Sequence, residues 1–265
     1  MLKFVVMSDL HLVEEDKQSH GLDTFARLEQ GIEAINARHS DAEFCVLAGD
    51  LADLGFEGAV EPYNRLKDLV SRLSMPCHIT IGNHDKRETF VSIFGEDAKS
   101  ETGYIDKVID ANGHRVILLD SVLADDVEEY HHGGTLADEQ LDWLKARLAE
   151  HDGPVVVVLH HHANPLGTNV DRIMLDNGPA FVDTLKTHGD VRQVIAGHVH
   201  YTSVGVWRGI PFTTTAGTHY GVTVPLDDSK TRRLWGPAQI AVVLGDDEQT
   251  LVHFDNYLDG NAVLA

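Results

Sequence analysis

Apolar positions along this chain follow two rhythms, and the change from one to the other marks the elements. KFVVMSD is a short apolar run that stops at Ser8-Asp9, and FCVLAGD and HITIGNHD repeat the form. Between them Phe25, Leu28, Ile32 and Ile35 recur at spacings of three, four and three, which predicts a helix, and VEPYNRLKDLVSRL predicts a second. YIDKVID and HRVILLD flank Ala111-Asn112-Gly113, a hairpin signal because Asn-Gly accepts the left-handed backbone of a tight turn. Thr135-Leu136-Ala137-Asp138 opens a helix carrying Leu141, Leu144 and Leu148 on one face. VVVVLHHH predicts a strand covered on both faces, Asn177 caps a helix through about His188, and VRQVIAGH is the next strand.

After residue 201 the pattern changes. SVGVW and IPFTTT join through Arg208-Gly209, and AQIAVVL and TLVHF through Gly245-Asp246-Asp247, as antiparallel hairpins do. No repeat, low-complexity tract or linker interrupts the chain. The expectation is one layered α/β domain over residues 1–265, with about 202–265 completing the sheet or forming a cap.

Polar clusters sit at the ends of these strands: Asp9-Leu10-His11, Gly49-Asp50, Gly82-Asn83-His84-Asp85, His160-His161-His162 and Gly197-His198-Val199-His200. Ligands of open α/β sheets bind beyond the carboxyl ends of strands, where loops converge, and every cluster is on that side. Aspartate can bridge two cations, while neutral imidazole and amide oxygen add donors without further charge. Asp9 and Asp50 against two divalent cations leave a positive centre that attracts a phosphate ester.

Composition narrows the partners. The net charge of −21 argues against a broad grip on long nucleic acid, and stretches such as Asp125-Asp126-Val127-Glu128-Glu129 read as solvated surface. Seventeen histidines beside 42 carboxylates are the raw material of metal sites. Cys45 and Cys77 read as two buried thiols rather than a disulfide. No apolar run reaches the ~20 residues of a membrane span, and the opening lacks a signal-peptide pattern, so the expected location is the cytoplasm.

The series SDLH, AGDLAD, GNHD, LHHH and GHVH resembles the calcineurin-like metallophosphoesterase superfamily over residues 9 to 200. The stretch from His160 through Pro165-Leu166-Gly167 to Asn177-Gly178 resembles bacterial glycerophosphodiesterases and class III cyclic-nucleotide phosphodiesterases, although their His-His-Pro-Pro is His160-His161-His162-Ala163 here. The resemblance implies a four-layer α/β/β/α sandwich. It also implies two divalent metals, drawn from manganese, iron, zinc or cobalt. Asp50 would bridge them; Asp9, His11 and His200 would complete one site, and Asn83, His160 and His198 the other. His84 would act outside the ligand sphere, oriented by Asp53, and the aspartate at that position argues against a tyrosinate-iron chromophore.

The reaction so implied is hydrolysis of a small phosphodiester by a metal-bound hydroxide. A phosphomonoesterase and a non-catalytic scaffold of the same fold are the alternatives, and a homo-oligomer stays open. Asn83, His161, His219 and Arg87 are candidate substrate contacts. His161 and His162 have backbone satisfaction as the alternative role, and Arg87 has pairing with a surface acid. His131, His132, His20, His39, His78, His114, His151 and His188 read as surface or helix-end residues.

Overall fold

In the computed structural model, which describes residues 1–123, 130–224, 226 and 231–258, the two rhythms become two sheets packed face to face. The acidic stretch at 125–129 lies outside the described residues. The first sheet runs β13(Thr250–Asn256), β12(Gln239–Gly245), β1(Leu2–Met7), β2(Phe44–Ala48), β3(Cys77–Thr80). The second runs β4(Lys107–Ala111), β5(His114–Leu119), β6(Val155–Leu159), β7(Val191–Ala196), β9(Ile210–Thr214), β8(Ser203–Trp207). β1, β2 and β3 are parallel, as are β5, β6, β7 and β9, so each sheet gathers several carboxyl ends at one edge.

Strand alternation decides what each layer buries. Leu2, Phe4, Val6, Phe44 and Val46 face Val116, Leu118, Val156, Val158 and Ile195 between the sheets. The odd set, Val5, Met7, Cys45 and Leu47, turns outward under α1(Thr24–Arg38), α2(Glu61–Val70) and α3(Arg87–Phe94). On the other side Ile117, Leu119, Val157 and Leu159 meet α4(Asp138–Ala149) and α5(Gly178–Leu185). The result is the four-layer α/β/β/α sandwich. Both faces of β6 are covered, which is why four valines run in succession there.

The hairpin turns take the expected form, with Asn112 at φ 49° and Gly113 at 78°, and Arg208 at 51° and Gly209 at 89°. β8 and β9 extend the second sheet and β12 and β13 the first, while β10(Gly221–Val222) and β11(Arg233–Leu234) form a separate small hairpin.

α4 begins at Asp138, within the expected Thr135–Asp138 start, and the Ala137 N–H donates to Gln140 Oε1 at 3.0 Å, which secures that end. Two local expectations differ. α5 stops at Leu185; Asn177 precedes it without a capping bond because its amide clamps Leu136, accepting from N at 3.1 Å and donating to O at 2.6 Å. Cys77 is half-buried, and both cysteines are free.

Candidate metal centre

The loops leaving β1, β2, β3, β6 and β7 converge because their backbones are tied together. Asp9 N donates to Gly49 O (3.1 Å), His11 N to Asp50 O (2.9 Å) and Gly197 N to His160 O (3.0 Å). Asp9 accepts from His198 N at 3.0 Å, and Asp50 accepts from His84 N at 2.8 Å. Asp9, His11, Asp50, His198 and His200 all have φ between 45° and 73°, the left-handed region. Such backbone costs of order 1 kcal/mol or more per residue and collects at functional sites. Gly82 is needed sterically: a Cβ there would lie 2.4 Å from Asp50 Oδ1.

Each histidine has one ring nitrogen anchored and the other turned inward. His11 Nδ1 meets Asp53 Oδ1 (3.1 Å), His160 Nδ1 meets Ala48 O (2.8 Å), His200 Nδ1 meets Tyr220 O (2.9 Å) and His198 Nε2 meets Ile173 O (3.0 Å). Outer partners of this kind fix the tautomer and aim of metal-binding imidazoles.

The inward atoms form two adjoining clusters. His11 Nε2 is 3.2 Å from His200 Nε2 and 3.5 Å from Asp50 Oδ2, and His200 Nε2 is 3.3 Å from Asp9 Oδ1. On the other side His160 Nε2 is 3.3 Å from Asp50 Oδ2 and 3.2 Å from Asn83 Oδ1. Donors about 2.1 Å from one ion, at octahedral or tetrahedral angles, lie roughly 3.0–3.4 Å from one another. Four of the five spacings fall in that interval and the fifth, His11–Asp50 at 3.5 Å, lies just beyond it, so Asp50 adjoins both clusters. Among the described residues, groups of donors that could hold a cation are Asp9/His11/His200, Asp9/Asp50/His160, His160/His161/His198 and the less buried His11/Asp53/His84.

Electrostatics agree with a site built for positive charge. Burial opposes protonation of His160, but Asp50 and Asp9 outweigh it and raise its pKa to about 9. Burial likewise opposes charge on His11, and Asp53, Asp50 and Asp9 overcome it. Burial disfavours the Asp50 carboxylate too, yet His160, His84 and His11 hold its pKa well below the usual range. For His200 and His198 burial prevails and keeps the rings neutral, the form that binds cations.

The structure brings together all seven expected ligand positions, and several neighbours differ from expectation. Asp53 is not the carboxylate partner of His84: His84 Nδ1 meets the Asp53 backbone carbonyl at 2.7 Å, the carboxylate is 3.9 Å away, and that carboxylate serves His11. Arg87 is not presented to substrate. Its guanidinium is buried, donating from Nε to Asp120 at 2.7 Å and from Nη2 to Val122 O at 3.2 Å. His161 is also fully buried, with Nδ1 2.8 Å from Ser121 Oγ, so it offers no open face to a substrate. His219 is buried beside His11, ring centroids 5.2 Å apart, with Nε2 3.2 Å from Ser19 O.

Other residues at the site were given no role by the sequence. Asp85, the last residue of GNHD, accepts from Leu51 N, Ala52 N, Gly82 N and Tyr63 Oη and so joins the Asp50 loop to the Asn83 loop. Tyr130 Oη accepts from Asn83 Nδ2 at 2.7 Å, aiming the amide oxygen at His160. Tyr220 stacks on His200 at 4.3 Å with the Arg233 guanidinium 5.2 Å above it, a cation near the motifs. His20 and His132 are exposed, as expected, and they border the site: His20 lies 5.4 Å from Tyr220 and His132 4.7 Å from Tyr130. His114, expected at the surface, is buried.

A two-sheet sandwich with aspartates, histidines and an asparagine on converging strand ends defines a metallophosphoesterase-type hydrolase. The sequence profile of the calcineurin-like phosphoesterases matches residues 2–202, and the chain belongs to that family. It is 32% identical over 228 residues to a probable cyclic nucleotide phosphodiesterase of Rhodopseudomonas palustris, covering 85% of this chain and 81% of that one. It is 27% identical to a probable glycerophosphodiester phosphodiesterase of Arcobacter nitrofigilis, covering 96% and 92%. A dimetal phosphatase from Danio rerio shares the fold, with a TM-score of 0.72 at 18% identity over 97% of this chain and 96% of that one. Among the described residues no helix is long and apolar enough to cross a membrane.

Proposed function

We propose that this protein hydrolyses a small phosphodiester, a cyclic nucleotide or a glycerophosphodiester, at a centre of two divalent cations that share Asp50. The observation that carries the reading is the pair of donor clusters at 3.2–3.5 Å spacing with Asp50 in both. Asp9, His11, Asp50 and His200 would hold one cation, and Asp50, Asn83, His160 and His198 the other. Manganese, iron, zinc and cobalt all suit mixed nitrogen and oxygen donors. When bound, the cations supply Lewis-acid charge for the phosphoryl oxygens and an acidified water as nucleophile.

The chain's own residues do the rest. His84 is about one-quarter exposed, and its Nδ1 is fixed on the Asp53 carbonyl, which leaves Nε2 for the phosphate or the departing alkoxide. Asp53 aims His11, so it acts on the centre through a ligand. Asn83 is held by Tyr130, and His219 with Tyr220 walls the Asp9 side. Diester preference is supported by the names of relatives 27–32% identical to this chain. The test is a comparison of kcat/KM for metal-reconstituted enzyme on 3′,5′- and 2′,3′-cyclic nucleotides, glycerophosphodiesters and the matching monoesters. A diester above its monoester is expected; monoesters preferred across the set would contradict the proposal.

A further inference from the structure

We infer that His161 is a third imidazole ligand on the Asn83 side of the centre, giving that side a nitrogen-rich donor set that the Asp9 side lacks. The inference rests on the two-cation reading and deepens it. His161 is fully buried, and its Nδ1 faces Ser121 Oγ at 2.8 Å. With Nδ1–H donating to that hydroxyl, Nε2 presents a lone pair, and Nε2 has no hydrogen-bond partner. A buried acceptor left unsatisfied costs on the order of 1–3 kcal/mol, so its retention calls for a partner.

Ring geometry points to that partner. The centroids of His160 and His161 are 5.0 Å apart, those of His161 and His198 4.7 Å, and those of His160 and His198 5.0 Å. An imidazole bound at about 2.1 Å places its centroid about 3.2 Å from the ion, so rings sharing one ion at octahedral to tetrahedral angles stand roughly 4.5–5.2 Å apart. All three separations fall in that interval. The His11–His200 pair, on the other side, also stands at 5.0 Å. One donor nitrogen from each of His160, His161 and His198 lies within 4.8 Å of the others.

The backbone makes room for the ring. Gly134 passes so close that a Cβ there would lie 2.4 Å from His161 Nδ1. His162 is also buried with neither ring nitrogen paired, but its centroid is 6.0 Å from His198 and it is outside the donor group. Three nitrogens with Asp50 and Asn83 oxygens suit cobalt, nickel or zinc better than manganese, whereas two nitrogens and two carboxylates on the Asp9 side tolerate harder cations.

Proton NMR of the full chain loaded with Co(II), recorded in water, tests this directly. Each coordinated imidazole shows one strongly shifted exchangeable N–H resonance from its remaining nitrogen. Five are expected: Nδ1–H of His11, His160, His161 and His200, and Nε2–H of His198. His161→Gln and His161→Ala should each remove one, while His162→Ala keeps five. Four resonances in the wild-type protein, or five that survive His161→Gln, would overturn the assignment with the two-cation centre intact. Fewer than four in the wild type would overturn both, so the count separates the two failures without relying on a variant that folds.

Discussion

Asp106 offers a quantitative test of how the fold behind the centre responds to pH. It is almost fully buried, accepting from Asp120 N (2.9 Å), from Thr102 Oγ1 (3.0 Å) and from Gln140 Nε2 (3.0 and 3.2 Å). Burial, and then the neighbouring Asp120, raise its pKa from 3.8 to about 7. Unfolded, the carboxyl ionises near 3.8; folded, it keeps its proton to about 7. Between these values the unfolded chain binds fewer protons than the folded one, so this group's contribution to stability falls as pH rises and is fully lost above the folded pKa. At about 1.4 kcal/mol per unit the whole shift is worth on the order of 4 kcal/mol, of which about 2–3 kcal/mol falls between pH 5 and 8.

Asp106→Asn removes the ionisation and keeps one oxygen for Asp120 N and Gln140, while Thr102 can turn its hydroxyl to Ser100, 2.6 Å away. Urea unfolding of both proteins at matched metal content, at each pH from 5 to 8, isolates the effect as a difference. The variant should gain on the wild type by about 2–3 kcal/mol across that range and level off above pH 7–8. A difference that stays flat with pH would refute the reasoning.

Three further outcomes follow from named contacts. His84→Ala should retain its metal by elemental analysis and lose about 10²–10⁴ in kcat, since the His84 Nδ1 is taken up by the Asp53 carbonyl; parallel loss of metal would make it a ligand. Gly82→Ala should empty both sites at once, because its Cβ would press on Asp50 Oδ1 and N, 2.4 and 2.5 Å away; full metal content would contradict the shared role of Asp50. Arg87→Ala should lower unfolding stability by about 3–5 kcal/mol, leaving Asp120 buried beside one fewer cation, with KM unchanged in enzyme that stays folded. A raised KM at normal stability would return Arg87 to the substrate site.

The sequence disclosed the donors because of where they fall. Asp9, Asp50, Asn83, His160 and His198 each follow an apolar strand at its carboxyl end, and parallel strands bring those ends to one edge. Apolar runs interleaved with helical spacing indicated a layered α/β domain, and the Asn112-Gly113 turn indicated the hairpin, while the four-layer arrangement was implied only by the family resemblance. What linear order concealed was partner choice. Asp53 and His84 both occur in motifs, yet only the loop path shows that a carbonyl takes the His84 nitrogen while the carboxylate turns to His11. Arg87 follows GNHD by two residues, but as the first residue of α3 it turns into the interior toward Asp120. Tyr130, Tyr220 and Arg233 lie in segments without periodicity, and their place beside Asn83 and His200 comes from long-range packing.

The central claim is two cations on one shared carboxylate, and anomalous diffraction from crystals grown with manganese tests it most directly. Two anomalous peaks per chain are predicted, one touching Asp9, His11 and His200, the other Asn83, His160 and His198, with Asp50 in contact with both. A single peak at full occupancy, or two peaks that Asp50 does not join, would contradict it.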